Sequence, residues 1–197
     1  MVVIDATTLL LLLRPGTPVR PGAGGVPIDR PKERIEYLVA QLEKDRTKIV
    51  IPTPALSEAL VSAGAAASQQ IVEFLQKNAV FQIQPFDTLA AVELATMTRT
   101  AKAKGNKKGA SDAPWTKVKF DRQIVAIAKV LGATKIYSDD GDVETFGKEA
   151  NIEVVGIESL PLPPEDKQID MFKNLESRLA KSGDGVVSKE DKTGKPA

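Results

Sequence analysis

The stretch that most constrains the fold runs from Lys119 to Ile157, KFDRQIVAIAKVLGATKIYSDDGDVETFGKEANIEVVGI. Ile124, Ile127, Ala128 and Leu131 recur at i, i+3, i+4 and i+7, the apolar stripe of an amphipathic helix. Gly132 suits its C-terminal cap, because glycine takes the left-handed conformation without penalty. Lys135-Ile136-Tyr137 is a short β-prone run that stops at Ser138-Asp139-Asp140-Gly141-Asp142. After one or two turns of helix a second apolar run, Ile152 to Ile157, makes another strand. Helices alternating with short buried strands predict an α/β chain with a parallel sheet. Ligands of such sheets bind beyond the carboxyl ends of the strands, where the acidic loop lies. Asp121 is expected to open the helix with its carboxylate facing the same crevice. Helix capping and a solvated turn are the simpler roles for these acids. Chemistry requires more carboxylates at other strand ends.

Two more are found upstream. Val2-Val3-Ile4 reads as a buried first strand ending in Asp5. Lys32 to Asp45 has a helical stripe of Ile35, Leu38, Val39 and Leu42, and Lys48 to Ile51 is a second strand. Pro52-Thr53-Pro54 then turns into a helix from Ala55 to about Ala63, with Thr53 as N-cap and Pro54 at the first helical position. That helix carries Glu58. A helix over Ser68–Asn78, a strand over Ala79–Gln84 and a helix over Asp87–Ala103 bring the sheet to about five strands. Asp5, Glu58, Asp121 and Asp140 would converge on one end of it. Clustered carboxylates repel one another unless divalent cations fill the site. Oxygen donors are what Mg²⁺ and Mn²⁺ prefer, and one or two such ions can support in-line phosphoryl displacement.

Composition narrows the chemistry further. The chain has no histidine and no cysteine. Histidine bases, Ser-His-Asp triads, thiolate nucleophiles and zinc-thiolate sites are therefore excluded. Net charge is +1, so no global field favours nucleic acid or membrane. Leu9–Leu13 is too short to span a bilayer and lacks the basic flank of a signal peptide. The expectation is a soluble, cytoplasmic protein.

Basic character is local. Arg99 to Lys119 gathers Arg99, Lys102, Lys104, Lys107, Lys108, Lys117 and Lys119 around the single tryptophan, Trp115. Such a segment can track a nucleic-acid backbone and stack a base. Lys104, Lys107, Lys108, Lys119 and Trp115 are thus candidate substrate contacts, the alternative being a solvated run with Trp115 packed on the core. Arg14–Pro31 is a long Pro/Gly-rich loop. Glu165–Lys181 carries a stripe of Ile169, Phe172, Leu175 and Leu179, which must bury on its own domain, a second copy or a partner chain. Residues 182–197 have the composition of an unpacked tail.

The segments VVIDATTLL (Val2 to Leu10), IPTPALSEAL (Ile51 to Leu60), FDRQIVAIAKVLGATKIYSDDGDV (Phe120 to Val143) and EVVGI (Glu153 to Ile157) resemble the PIN-domain nucleases. Asp5 is followed two residues on by a small hydroxyl residue, Thr7. Glu58 follows a strand-Pro turn. Asp121, Ile124, Ala126 and Ala128 fit D-x-x-I-x-A-x-A, and Ser138, Asp140 and Asp142 fit T/S-x-D-x-D. The resemblance implies a three-layer α/β/α fold over residues 1–158; beyond it the residues themselves read as a linker and C-terminal helix (159–181) and the tail (182–197). It implies Mg²⁺- or Mn²⁺-dependent endonucleolytic cleavage of RNA. Catalysis would use Asp5, Glu58, Asp121 and Asp140, with Asp142 added as a metal ligand and Thr7 and Ser138 near the substrate. Asp139, Asp140 and Asp142 all remain open as the fourth ligand, Asp140 being chosen from its spacing after Ser138. Many compact members are toxins held by an antitoxin, so an antitoxin or other protein inhibitor and a homodimer are the partners to consider. This chain differs from those in its Arg14–Pro31 loop, its basic segment and its C-terminal extension. Two alternatives are a catalytically silent RNA-binding module of the same fold and a haloacid-dehalogenase-like phosphatase, which would need an acid where Thr7 stands.

Overall fold

A computed structural model describes residues 1–14 and 16–164. Five strands form one parallel sheet: β1 (Val2–Ile4), β2 (Ile49–Pro52), β3 (Phe81–Gln84), β4 (Lys135–Tyr137) and β5 (Glu153–Val155). Their spatial order is β3-β2-β1-β4-β5. The strands are short and rich in Val and Ile because both faces are covered. Successive side chains point to opposite faces. Val2, Ile4, Ile49 and Ile51 accordingly join one apolar cluster, and Val3, Val50 and Ile136 the other.

Seven helices complete the described chain: α1 (Ala6–Leu13), α2 (Pro31–Lys44), α3 (Thr53–Ala63), α4 (Ala65–Lys77), α5 (Thr88–Ala103), α6 (Trp115–Val130) and α7 (Gly141–Glu149). The first cluster is closed by Leu9, Leu12 and Leu13 of α1, Ile35 and Val39 of α2, and Ile71 and Leu75 of α4. The second is closed by Val118, Ile124, Val125 and Ala128 of α6 and by Val143 and Phe146 of α7. The result is the expected three-layer α/β/α arrangement. The chain runs outward from β1 to β3, then returns to place β4 on the other side of β1. That reversal opens a crevice at the carboxyl ends of β1 and β4, the place where sheets of this kind bind ligands.

Three local expectations are corrected. Asp121 does not open its helix; α6 begins at Trp115, after Pro114, and Asp121 lies nearly two turns inside. The stripe extends back through Val118, which is fully buried, so packing carries the helix past the basic residues. The basic run is therefore not one loop: its ends belong to α5 and α6, and only 104–114 joins them. Thr53 is the first residue of α3 and not its N-cap. Its hydroxyl instead accepts from the Phe86 N–H at 3.1 Å, tying α3 to the segment after β3.

The long loop after α1 folds back over the ends of β4 and β5. The Glu158 carboxylate accepts from the Ala23 N–H at 2.8 Å, and Arg20 reaches the Asp139 carbonyl at 3.3 Å. The expected helix over Glu165–Lys181 and the tail over 182–197 lie outside the described residues. Among the described residues no helix is long and apolar enough to cross a membrane.

Candidate metal centre

Asp5 leaves β1 and immediately caps α1. Its Oδ1 accepts from the Thr8 N–H at 2.7 Å, and its Oδ2 accepts from the Ser138 hydroxyl at 2.5 Å. The residue is 4% exposed. Burial pushes its pKa above the ordinary value, opposed by the bonds from Ser138 and Thr8. Capping and a place in the crevice are thus both true of this one carboxylate. Ser138 joins the two strand ends, because its Oγ also accepts from the Asp140 N–H at 3.0 Å.

The acidic loop divides its residues between two faces. Asp139 turns away and accepts from the Ile157 N–H at 2.7 Å, so it serves the turn after β5. Asp140 caps α7, its Oδ1 accepting from Asp142 N–H at 2.8 Å and Val143 N–H at 3.4 Å. Its Oδ2 is left facing α6. Asp121, 8% exposed, and Asp142 approach from either side, and one oxygen of each of the three carboxylates lies within 4.8 Å of the others.

Lys117 sits among them. Its Nζ is 2.7 Å from Asp121, 2.8 Å from Asp140 and 3.5 Å from Asp142. Burial raises the Asp121 pKa to about 6 despite Lys117. Burial also opposes ionisation of Asp140, but the Lys117 ammonium and the Asp142 and Val143 N–H groups outweigh it and hold this carboxyl below its ordinary value. Burial disfavours the Lys117 charge in turn, yet the bonds to Asp121 and Asp140 dominate and keep its pKa raised. Three carboxylates gathered on one ammonium form a cradle that demands positive charge. Its all-oxygen donor set fits a hard divalent cation such as Mg²⁺ or Mn²⁺.

A cavity of about 510 Å³ opens above this cradle. Asp5, Glu58, Asp121 and Asp140 all line it, with Thr7 on α1 and Lys117 on α6. Glu58 is exposed on α3 and, like Asp5, stands outside the close group of three. Val61 and Phe120, exposed and apolar, form part of the rim. Ser138 is not in the lining; it is buried beneath the floor and orients Asp5 and Asp140.

The other sequence candidates lie apart from this cavity. Lys107 Nζ is 4.9 Å from the centre of the Trp115 ring, and that ring packs against the core at the start of α6. Lys108 turns inward to the carbonyls of Asp112 and Ala113 at 3.3 and 3.0 Å. Lys104 follows α5 in a separate recess shared with Glu93 and Lys129. Lys119 is exposed on α6. Sequence reasoning counted Lys117 only as one of the basic run. Its i, i+4 spacing from Asp121 would have marked the pair, had the helix been started early enough. Arg122 also went unremarked. It is fully buried, donates to the Lys107 carbonyl at 2.6 Å and stacks on Phe146 at 4.6 Å.

No family model and no curated protein matches this chain. Solved structures do. One is FitAB bound to an IR36 DNA fragment, with 18% identity and a TM-score of 0.53 over 82% of this chain and 98% of that chain. Another is DNA-bound VapBC from Salmonella typhimurium, with 14% identity and a TM-score of 0.50 over 79% of this chain and 97% of that one. Likeness at such identities is a likeness of fold, and the fold is PIN-like, as the sequence resemblance implies.

Proposed function

We propose that the chain is a metal-dependent endoribonuclease. The observation that carries this reading is the close group of Asp121, Asp140 and Asp142, of which Asp121 and Asp140 line a cavity shared with Asp5 and Glu58. Asp121, Asp140 and Asp142 would hold one or two Mg²⁺ or Mn²⁺ ions, with Asp5 completing the floor. When bound, such an ion supplies charge stabilisation and water activation for phosphodiester hydrolysis. Ser138 fixes Asp5 and the Asp140 backbone, so the floor is set before substrate arrives. Glu58, exposed and outside the close group, lines the same cavity from α3. Thr7 lies on the same wall for contact with substrate. The choice of RNA rests on the resemblance; the two structural neighbours were seen with DNA. An antitoxin or other protein inhibitor as partner rests on the same resemblance, and a cytoplasmic location on the apolar runs of the sequence.

The phosphatase reading fares worse. Asp5 would be its nucleophile, but both oxygens already accept hydrogen bonds and Thr7 stands where the second acid should be. Incubation with a mixed RNA pool and Mn²⁺, followed by mapping of product ends, tests the proposal. Internal cleavage should disappear in EDTA and fall at least about 100-fold in Asp121→Asn, the upper range for losing even an outer-shell partner of a metal. Cleavage that survives EDTA would sink the metal mechanism. RNA binding without any cleavage would favour the silent module.

A further inference from the structure

The cavity above the cradle is rich in carboxylates, with Lys117 as its one lining cation among the described residues, and a polyanion cannot dwell there without cations along its path. The lysines of the 104–114 connection do not line it. A second cavity of about 400 Å³ does continue from it, because Thr7 and Ser62 line both. Its wall is Thr7 and Leu10, spaced i, i+3 on one face of α1, and Arg14, the extended residue that caps the end of that helix. At 1.5 Å per residue, Arg14 stands roughly 10 Å from Thr7 along that groove. Among the described residues no carboxylate lines this second cavity, and Arg14 is its only charged side chain.

Arg14 is held for use. Its Nη1 donates to the Ser62 carbonyl at 2.6 Å, which lays the side chain across from α1 to α3. Among the described residues it has no carboxylate within ion-pair distance, and it is exposed to solvent. A guanidinium carries five N–H donors in a planar fork that matches phosphate, so donors remain after the Ser62 bond. Gly16, at φ +76°, brings bare backbone to the opposite side with nothing near where a Cβ would stand.

We propose that the α1–α3 groove is a substrate subsite, in which Arg14 binds a backbone phosphate of the RNA strand as it leaves the catalytic cavity. The inference rests on the ribonuclease reading above and adds a direction to it: the strand runs past Thr7 and Ser62 toward the end of α1.

The test uses the full chain in an Asp121→Asn background, to stop turnover, and fluorescent single-stranded RNAs lengthened one nucleotide at a time. Affinity is measured by anisotropy over a range of salt concentrations, for Arg14, Arg14→Gln and Arg14→Lys. With Arg14 present, one lengthening step should tighten binding several-fold. Arg14→Gln should lose that step and reduce the log–log salt slope by about 0.7, the contribution of one phosphate on a single strand. Arg14→Lys keeps the charge and should retain most of the slope. Equal slopes and equal steps for Arg14 and Arg14→Gln overturn the subsite while leaving the ribonuclease reading intact. Equal loss in Arg14→Lys and Arg14→Gln also overturns it, since the effect would then come from the Ser62 anchor and not from charge. Failure of the unmutated chain to bind or cut any RNA removes the ribonuclease reading and the subsite with it.

Discussion

Asp121 carries the most consequential electrostatics of any single residue here. Burial moves its carboxyl from 3.8 to about 6. Folding therefore binds a proton that the unfolded chain releases, in the window between those values. The stabilisation is complete below about 4 and is lost as pH rises through about 6. Asp140 has the opposite sign: its pKa is depressed, so its contribution is present at neutral pH and lost on acidification. In metal-free buffer, Asp121→Asn should therefore gain stability relative to the unmutated chain as pH rises from 4 to 7, because asparagine has no proton to lose. Parallel melts across this range check it, and a pH-independent difference would contradict the assignment.

Among the elements, the connection from α5 to α6 is anchored from within. Arg122, on α6 beside Asp121, reaches the Lys107 carbonyl with one nitrogen. Its Nε and Nη2 are buried without hydrogen-bond partners, and burial lowers its pKa, with Glu149 as the opposing charge. Gly109 passes close by, a Cβ there falling 3.3 Å from Nη2. Removing the guanidinium would lose a charged hydrogen bond worth about 1.5–3 kcal/mol and relieve two unpaired donors costing about 1–3 kcal/mol each. Arg122→Met should thus leave global stability within about 2 kcal/mol, since methionine fills the space beside Phe146. The 104–114 connection should nevertheless be released, so limited proteolysis by trypsin at Lys104, Lys107 and Lys108 should accelerate. A fall of more than about 4 kcal/mol in stability would show instead that the charge is well paired.

At the scale of the whole molecule, the parallel sheet concentrates like charge at one end of a nearly neutral chain. Lys117 relieves that repulsion in the absence of metal, and a divalent ion would compete for the same oxygens. Mn²⁺ at about 100 times its dissociation constant should add about 2.7 kcal/mol of stability. Lys117→Met should melt lower in EDTA, bind Mn²⁺ more tightly and show a larger rise on metal addition. Calorimetric titration and melting curves measure both. If Lys117→Met binds Mn²⁺ more weakly, the lysine supports the ion instead of standing in for it.

The alternation of apolar helical stripes with Val/Ile runs was enough to establish the α/β class, the parallel sheet and the strand ends at Asp5 and Asp140. These are local patterns, set by side-chain period and turn chemistry. Glu58 could likewise be placed on the helix after β2 from the Pro-Thr-Pro turn. Tertiary structure decided what local pattern cannot. The start of α6 moved back to Trp115 because burial of Val118 outweighs the helix-start signals near Asp121. That Asp140 and Asp142 face the cradle while Asp139 turns away depended on backbone bonds that Asp139 and Asp140 make to residues 157 and 142. Only the folded chain could bring Lys117 of α6 against the β4–α7 turn, or join Arg14 to Ser62 across 48 positions of sequence. Such contacts depend on how elements pack around the sheet, and no spacing along the chain encodes them.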